Sequence, residues 1–425
     1  MTLTVMPKYE AYKDSRVDWI GDVPSDWEIT RLGAVFEERR TKVSDIDYPP
    51  LSVTKSGVLP QLDSAAKTKD GDNRKLVLSG DFVINSRSDR KGSSGVSDLN
   101  GSVSLINIVL KPKRINPGFC NHLLKCNAFI EEYYRVGRGI VADLWTTRYD
   151  EMRTMMLALP SIEEQTAIAN FLDTKTTQID EAITIKEQQI ALLNERKQIL
   201  IQQAVTQGID PTVPMKDSGV EWIGKIPAHW DVKKIKFLSK IFRGKFTHRP
   251  RNDPALYDGE YPFFQTGDVA KAKKYLRNYK QTLNDKGLSA STLIPKGTVV
   301  ITIAANIGDV AILDIDACFP DSVVGFEPFK GTSKDFLYFS LMSMKQKFIE
   351  TSIKNTQMNL NVDRIGSQFI CQPPLEEQLR IVKRLDSIQS EIDSSLDFII
   401  SQIEKYKEYK TTLINSAVTG KIKVV

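Results

Sequence analysis

The chain is written twice, and that repetition limits its folding options more than any local motif. Residues 14–32 read DSRVDWIGDVPSDWEITRL and residues 217–235 read DSGVEWIGKIPAHWDVKKI, with eight of nineteen positions identical. Trp19 aligns with Trp222, Gly21 with Gly224, Pro24 with Pro227 and Trp27 with Trp230, at an offset of 203. A second match sets LPSIEEQTAIANFLD (159–173) against QPPLEEQLRIVKRLD (372–386), at an offset of 213. It runs on to QQAVTQ (202–207) against NSAVTG (415–420). Each copy therefore has a tryptophan-marked lead-in, a region of its own and a shared tail. The second private region is ten residues longer, the difference between the two offsets.

Both tails have the period of a long helix. In the first, a heptad frame puts Leu172, Ile179, Lys186, Leu193 and Leu200 at one seam position, with Thr176, Ile183, Ile190, Lys197 and Ala204 at the other. The second gives Leu385, Ile392, Ile399, Tyr406 and Leu413, with Gln389, Leu396, Ile403, Lys410 and Ala417. These seam residues are the expected packing and docking surface. Ser161 with Glu163 and Glu164 suits a capped helix start, and Glu376 and Glu377 suit the same first turn in the second copy. Neither tail has an internal Gly or Pro over 163–206 or 376–419, so each helix should reach about 66 Å. An apolar stripe of that length needs a partner, and each helix is the natural partner of the other. Only ten residues (207–216) join the first tail to the second lead-in, so the pair is expected to be antiparallel.

The expected fold class is α+β: two mixed α/β domains separated by two long antiparallel helices in a pseudo-two-fold duplication. The expected borders are 1–158 for the first domain, 159–216 for the central helix and linker, 217–371 for the second domain and 372–425 for the last helix. Strands are expected at 81–85, 103–110, 298–304 and 322–326, and helices at 117–134 and 334–353.

Four cysteines (Cys120, Cys126, Cys318, Cys371) without a CxxC pair fit a reducing cytoplasm. The longest apolar stretch, around 299–307, is about half a membrane span. Net charge is only +5. Cut at the expected borders, the four segments carry +2, −3, +6 and 0. Between Lys233 and Arg251 there are eight Lys or Arg and no Asp or Glu, the clustering that phosphate binding needs. Flexible, basic SRSDRKGSSGVSDLNGS (86–102) offers Arg87, Arg90 and Lys91, and Trp145–Arg148 adds Arg148. The second region offers Arg243, Lys245, Thr247, Arg249, Arg251, Gln265, Lys273 and Lys274, with Gln357 and Asn359 near its end. Gln265 has the chemistry to read adenine, and Arg243 or Arg249 to read guanine. A solvated basic face and ordinary turn chemistry are the plainer readings of the same residues.

Catalytic signatures are sparse. There is no GxxxxGK[ST] loop, and Gly137-Arg138-Gly139 is an isolated GxG. Glu195-Arg196-Lys197 and Glu408-Tyr409-Lys410 mimic a nuclease motif but place their lysines in the helical seam, which makes them structural. Cys120, His122 and Cys126 lack a fourth metal ligand nearby, so buried thiols are the better reading. The chain is expected to be a reader and not an enzyme.

The doubled YKDSRVDWIGDVPSDW/MKDSGVEWIGKIPAHW lead-in and the doubled LPSIEEQ/PPLEEQ junction, each before a long helix, resemble the specificity subunit of type I restriction-modification systems. The resemblance spans essentially the whole chain. It implies two target recognition domains, each reading one half of an asymmetric, bipartite site in double-stranded DNA. It also implies helices that set the gap and dock two methyltransferase subunits, with motor-nuclease subunits joining them. AdoMet, ATP and Mg would then belong to those partners, leaving no cofactor, catalytic residue or metal ligand here and no membrane contact. A targeting subunit of a type II-like modification methyltransferase, and a coiled-coil scaffold without DNA, are the competing readings.

Overall fold

The computed structural model describes residues 6–63, 71–139, 145–352 and 360–424. The chain divides into two compact units, one built from residues 1–187 with 400–425 and the other from 188–399. The division cuts both long helices, Ile162–Gln207 and Leu375–Val418. Each unit therefore holds one private region, the start of the helix that follows it and the end of the other copy's helix.

The repeated lead-in is a small hairpin, Tyr12–Asp14 with Asp22–Pro24 in the first unit and Met215–Asp217 with Lys225–Pro227 in the second. Its turn explains the repeated Asp-Ser. Asp14 Oδ1 accepts from the Arg16 amide and Asp217 Oδ1 from the Gly219 amide, both at 2.8 Å. Those acceptors hold Arg16 and Gly219 at φ +58° and +69°. Each private region is then closed by a clasp of two antiparallel strands. Glu28–Arg31 pairs with Met156–Leu159, and Asp231–Lys234 pairs with Phe369–Gln372. The two ends of each region thus lie side by side, just before the long helix begins.

Within the clasps the private regions share a frame that their sequences barely reveal. In the first, four antiparallel strands lie in the order Ser94–Val96, Phe82–Asn85, Asn107–Pro112, Phe36–Glu38. In the second the order is Val310–Leu313, Val299–Thr302, Val323–Pro328, Ser239–Arg243, extended by the parallel strand Tyr275–Leu276. Numbered along the chain, both orders are third, second, fourth, first. Phe82–Asn85 and Val299–Thr302 are buried at every position, so they carry no polar alternation to mark them.

Three expected elements are shorter than the sequence suggests. The run at 103–110 is two strands in two sheets, because the Asn107 amide donates to the Ser104 carbonyl (3.0 Å) and turns the chain between them. The helix at 117–134 breaks into Pro117–Lys125 and Asn127–Arg135, where Cys126 takes an extended backbone and its Sγ accepts from the Phe129 amide. The helix at 334–353 breaks at Met344 into Lys334–Ser343 and Lys345–Thr351.

The junction motif earns its repetition through one residue. Gln165 and Gln378, the last residues of the two Glu-Glu-Gln triplets, are 2% and 1% exposed. Gln165 Oε1 accepts from the Asn116 amide (2.9 Å), and Gln378 Oε1 from the Ser333 amide (2.8 Å). Asn116 and Ser333 are the N-caps of the helices Pro117–Lys125 and Lys334–Ser343. The Nε2 atoms of Gln165 and Gln378 in turn donate to the carbonyls of Pro160 and Pro373. One buried side chain per unit therefore ties the long helix to the private region and leaves no polar atom of its amide unmatched in kind.

The far end of each helix is equally specific. Gly208 follows the first helix at φ +79° and Gly420 the second at φ +70°, a left-handed stop that favours glycine. A Cβ on Gly208 would sit 3.3 Å from the Trp230 ring, and one on Gly420 2.3 Å from Pro24 and 3.3 Å from the Trp27 ring. Both tryptophans are fully buried. The core of the second unit accordingly includes Ile201, Ala204 and Val205 from the end of the first helix and Ile381, Val382 and Leu385 from the start of the second.

Along the seam, Leu172, Ile179, Ile183, Leu385, Ile392, Ile403 and Leu413 are buried, and Ile190, Leu193, Leu200 and Leu396 are half-buried. Their side chains are taken up by packing, so they are not an outward docking surface. Two seam lysines are matched by acids. In the second unit Lys197 pairs with Asp393 at 2.8 Å, with side chains 12% and 16% exposed. In the first, Lys410 pairs with Asp180 at 2.6 Å, at 30% and 58% exposure. Shifted by 213, one pair becomes the other. Each links the two helices in the antiparallel sense, but the screening differs. Double-mutant cycles with Ala, read by chemical denaturation, should give about 1–3 kcal/mol of coupling for Lys197–Asp393 and under about 1 kcal/mol for Lys410–Asp180. Equal couplings would show that burial does not set their strength.

Candidate nucleic-acid interface

In the first unit the fold joins two basic segments that are far apart in sequence. Residues 86–91 leave the buried strand Phe82–Asn85 and form a short turn of helix, Ser88–Arg90. They are not a free loop: Ser94–Val96 returns to pair with that strand. The Ser88 amide donates to the Trp145 carbonyl (3.0 Å) and the Thr147 amide to the Ser86 carbonyl (2.9 Å). Thr147 is fully buried and donates its hydroxyl to the Tyr133 carbonyl at 2.9 Å. This stitching sets exposed Arg87 and Arg148 on one cleft, together with Arg40, Lys75, Glu38 and Asp150. Arg40 and Lys75 were not singled out by sequence reasoning, since one lies in a link between strands and the other on a strand, with no motif around either. Lys91 and Arg90 have their own counter-ions, Glu131 at 2.5 Å and Asp89 at 3.7 Å.

In the second unit the basic window does not form one patch. Lys233 and Lys234 lie on the clasp strand, and Lys240 pairs with Glu327 at 3.1 Å. Three arginines gather on one residue: Arg243 donates to the Asp321 carbonyl, Arg251 bonds its carboxylate at 2.5 Å, and Arg249 lies 4.0 Å from it. Arg249 also donates to the carbonyls of Phe246 and His248. Lys245 and Thr247 are exposed, and the Thr247 amide bonds the Ala290 carbonyl. Gln265 lies on the rim of a cavity of about 280 Å³ beside Arg251, with Phe246, Tyr257 and Phe263 in its wall.

Two residues proposed from sequence have a different place. Lys274 is 8% exposed, bonded to Asp386 at 2.6 Å and Asp335 at 2.9 Å, and lies over the rings of Tyr338 and Phe339. Burial opposes its charge, but the two carboxylates outweigh it and raise its pKa. Such a lysine, nearly buried and with two of its three N–H donors on carboxylates, anchors the private region to the C-terminal helix. Lys273 bonds Asp397 on the same helix at 2.7 Å. Gln357 and Asn359 lie outside the described residues.

The would-be metal triad is accounted for by packing. Cys120 is fully buried, Cys126 caps a helix, and His122 bonds Asp173 at 2.7 Å. Burial pushes the Cys126 thiol up to about 11 and that of Cys371 up to about 12. Among the described residues no helix is long and apolar enough to cross a membrane.

Residues 227–405 match the family model of the type I restriction modification DNA specificity domain. The MjaVIII type I restriction enzyme specificity subunit of Methanocaldococcus jannaschii is 24% identical over 438 residues, covering 95% of this chain and 94% of that one. A chain from a structure on complex assembly and conformational transition of the type I R-M system superposes with a TM-score of 0.70 at 18% identity, over 93% of this chain and 98% of the other. The HsdS subunit of Thermoanaerobacter tengcongensis gives 0.51 at 18% identity, over 94% and 98%. The two solved chains share the fold over nearly the whole of each chain. Over nearly its whole length the chain is thus similar to type I restriction enzyme specificity subunits, and residues 227–405 carry the match to their DNA specificity domain.

Proposed function

We propose that this chain is the DNA-reading subunit of a type I restriction-modification complex, with each private region reading one half of a bipartite, asymmetric site. The observation that carries this reading is the repeated four-stranded frame with different residues on it. A common frame gives both regions a common docking pose, while different rims such as Arg87 with Arg148 and Arg251 with Gln265 give different words. The chain supplies no chemistry of its own in this scheme; AdoMet and ATP act on partner subunits.

The clasps define what can be exchanged. Replacing residues 28–158 with the equivalent segment of another specificity subunit brings in both clasp strands together, all but Leu159, and leaves residues 188–399 untouched. Sequencing of the methylated motif should show one half-site changed and the other intact. A change in both would mean that the regions are not independent readers.

The long helices act as the spacer. Seven residues inserted after Gln188 and seven after Ser401 keep the heptad phase and lengthen each helix by about 10 Å, roughly three base pairs. The unread gap should grow accordingly while both words stay the same. An active variant with an unchanged gap would remove the spacer role.

The docking surface for methyltransferase subunits is an outer stripe and not the seam. Ile185, Leu192 and Ile199 recur every seven residues at 54%, 64% and 46% exposure, and Phe398, the counterpart of Ile185, is 65% exposed. On the second helix Lys405 and Thr412 stand where the first has Leu192 and Ile199. The two-fold docking therefore rests on the duplicated helix starts at 163–173 and 376–386, and native mass measurement of the co-produced complex should find two methyltransferases per chain. Saturation at one would overturn the two-fold docking.

A further inference from the structure

We propose that Gln265 reads one adenine in the second half-site and that Gln281 is the positioning residue that makes the reading specific. The proposal rests on the second unit being a DNA reader and names the side chains that do part of the reading.

The two glutamines come from different elements and meet at one place. Gln265 follows the strand Tyr257–Phe263 and caps the helix Thr266–Lys271; its amide donates to Asp268 Oδ2 at 2.8 Å, which fixes its backbone. Gln281 opens the strand Gln281–Leu283, directly opposite Phe263 in the antiparallel ladder. Both side chains are exposed on the rim of the same cavity, over the packed rings of Phe246 and Phe263. There Gln265 Nε2 donates to Gln281 Oε1 at 3.1 Å.

That bond matters because a glutamine amide can turn over and exchange its donor for its acceptor. Adenine presents N7 as an acceptor and N6 as a donor in the major groove; guanine presents two acceptors, N7 and O6. A freely rotating glutamine therefore discriminates poorly between the purines. While Gln281 presents Oε1, one Nε2 proton of Gln265 is committed to it and the Gln265 amide keeps a single orientation. A bond through the proton trans to Oε1 leaves Oε1 to accept from N6 and the remaining proton to donate to N7. Guanine would meet Oε1 with O6, acceptor against acceptor. Gln281 itself touches no base in this arrangement. Nearby Arg251, held by Asp321, adds positive charge to the same rim.

The test uses the full subunit co-produced with its methyltransferase and reads the methylated motif by sequencing. Gln265→Ala should relax a single position of the second half-site, an A·T pair in the parent motif, and leave the first half-site intact as the internal control for folding. Gln281→Ala should act on that same position but differently, admitting guanine beside adenine and lowering the preference about tenfold or more. Gln281→Glu keeps the acceptor for Nε2 and should keep the adenine preference. An unchanged motif in Gln265→Ala overturns the proposal, as does a Gln281→Ala effect at a different position. Exchange of the whole region 231–371 separates the two levels. If that exchange changes the second word and Gln265→Ala does not, the glutamine assignment fails alone. If neither changes it, the reading of the second unit as a DNA reader fails beneath it.

Discussion

An apolar stripe on a helix of 46 residues must be covered along its whole length, and neither long helix can do that for itself. The rest of the architecture follows from how the cover is supplied. Each private region builds its core against the start of its own helix, through Gln165 or Gln378, and against the end of the other copy's helix, through Gly420 on Trp27 or Gly208 on Trp230. The repeated motifs are therefore the contact points of helix ends, which is why they stay alike while the sequence between them diverges. Lead-in, junction and terminal Ala-Val-Thr are three parts of one joint, used twice.

The two copies of the joint are not identical, and the differences follow chemistry. Glu164 and Glu377 occupy equivalent places. Glu377 accepts from His229 Nε2 and the indole of Trp230, whereas Glu164 accepts from the Tyr9 hydroxyl at 2.5 Å. Tyr9 in turn packs edge-on against Trp27, whose indole nitrogen has no hydrogen-bond partner among the described residues. The first copy replaces a hydrogen bond to the tryptophan with a ring contact, and keeps the carboxylate occupied. An acid at a helix N-terminus is favoured in either case.

What the sequence made legible was whatever obeys a period or a repeat. The helix limits, the seam and the doubling were readable because long-range packing there acts through spacing that the chain itself displays. The structural meaning of Glu195-Arg196-Lys197 was readable for the same reason: seam phase put Lys197 against the other helix. The candidate interface was far less legible. Eight basic residues in a row of nineteen looked like a patch, yet a strand, a clasp and a turn send them to different faces. Lys274 looked like its neighbours until Asp335 and Asp386, 61 and 112 residues away, were seen to enclose it. The breaks at Cys126 and Met344 carry no Gly or Pro, so nothing local announced them. The shared strand order of the private regions was hidden because fully buried strands need only be apolar, and many sequences satisfy that.

The way the units are assembled from the chain has a consequence for biosynthesis. Residues 188–399 form a contiguous block and hold all the segments of their unit. The other unit is made first but completed last, because Leu413, Ala417, Val418 and Gly420 fill its core and the Lys423 amide bonds the Pro7 carbonyl. A nascent chain must therefore carry the first private region with its Trp27 pocket open while more than two hundred further residues are translated. The second unit can close on the ribosome; the first closes only when the end of the last helix has emerged. Loss of the segment 413–420 would thus injure the unit whose other residues were synthesised before the second unit.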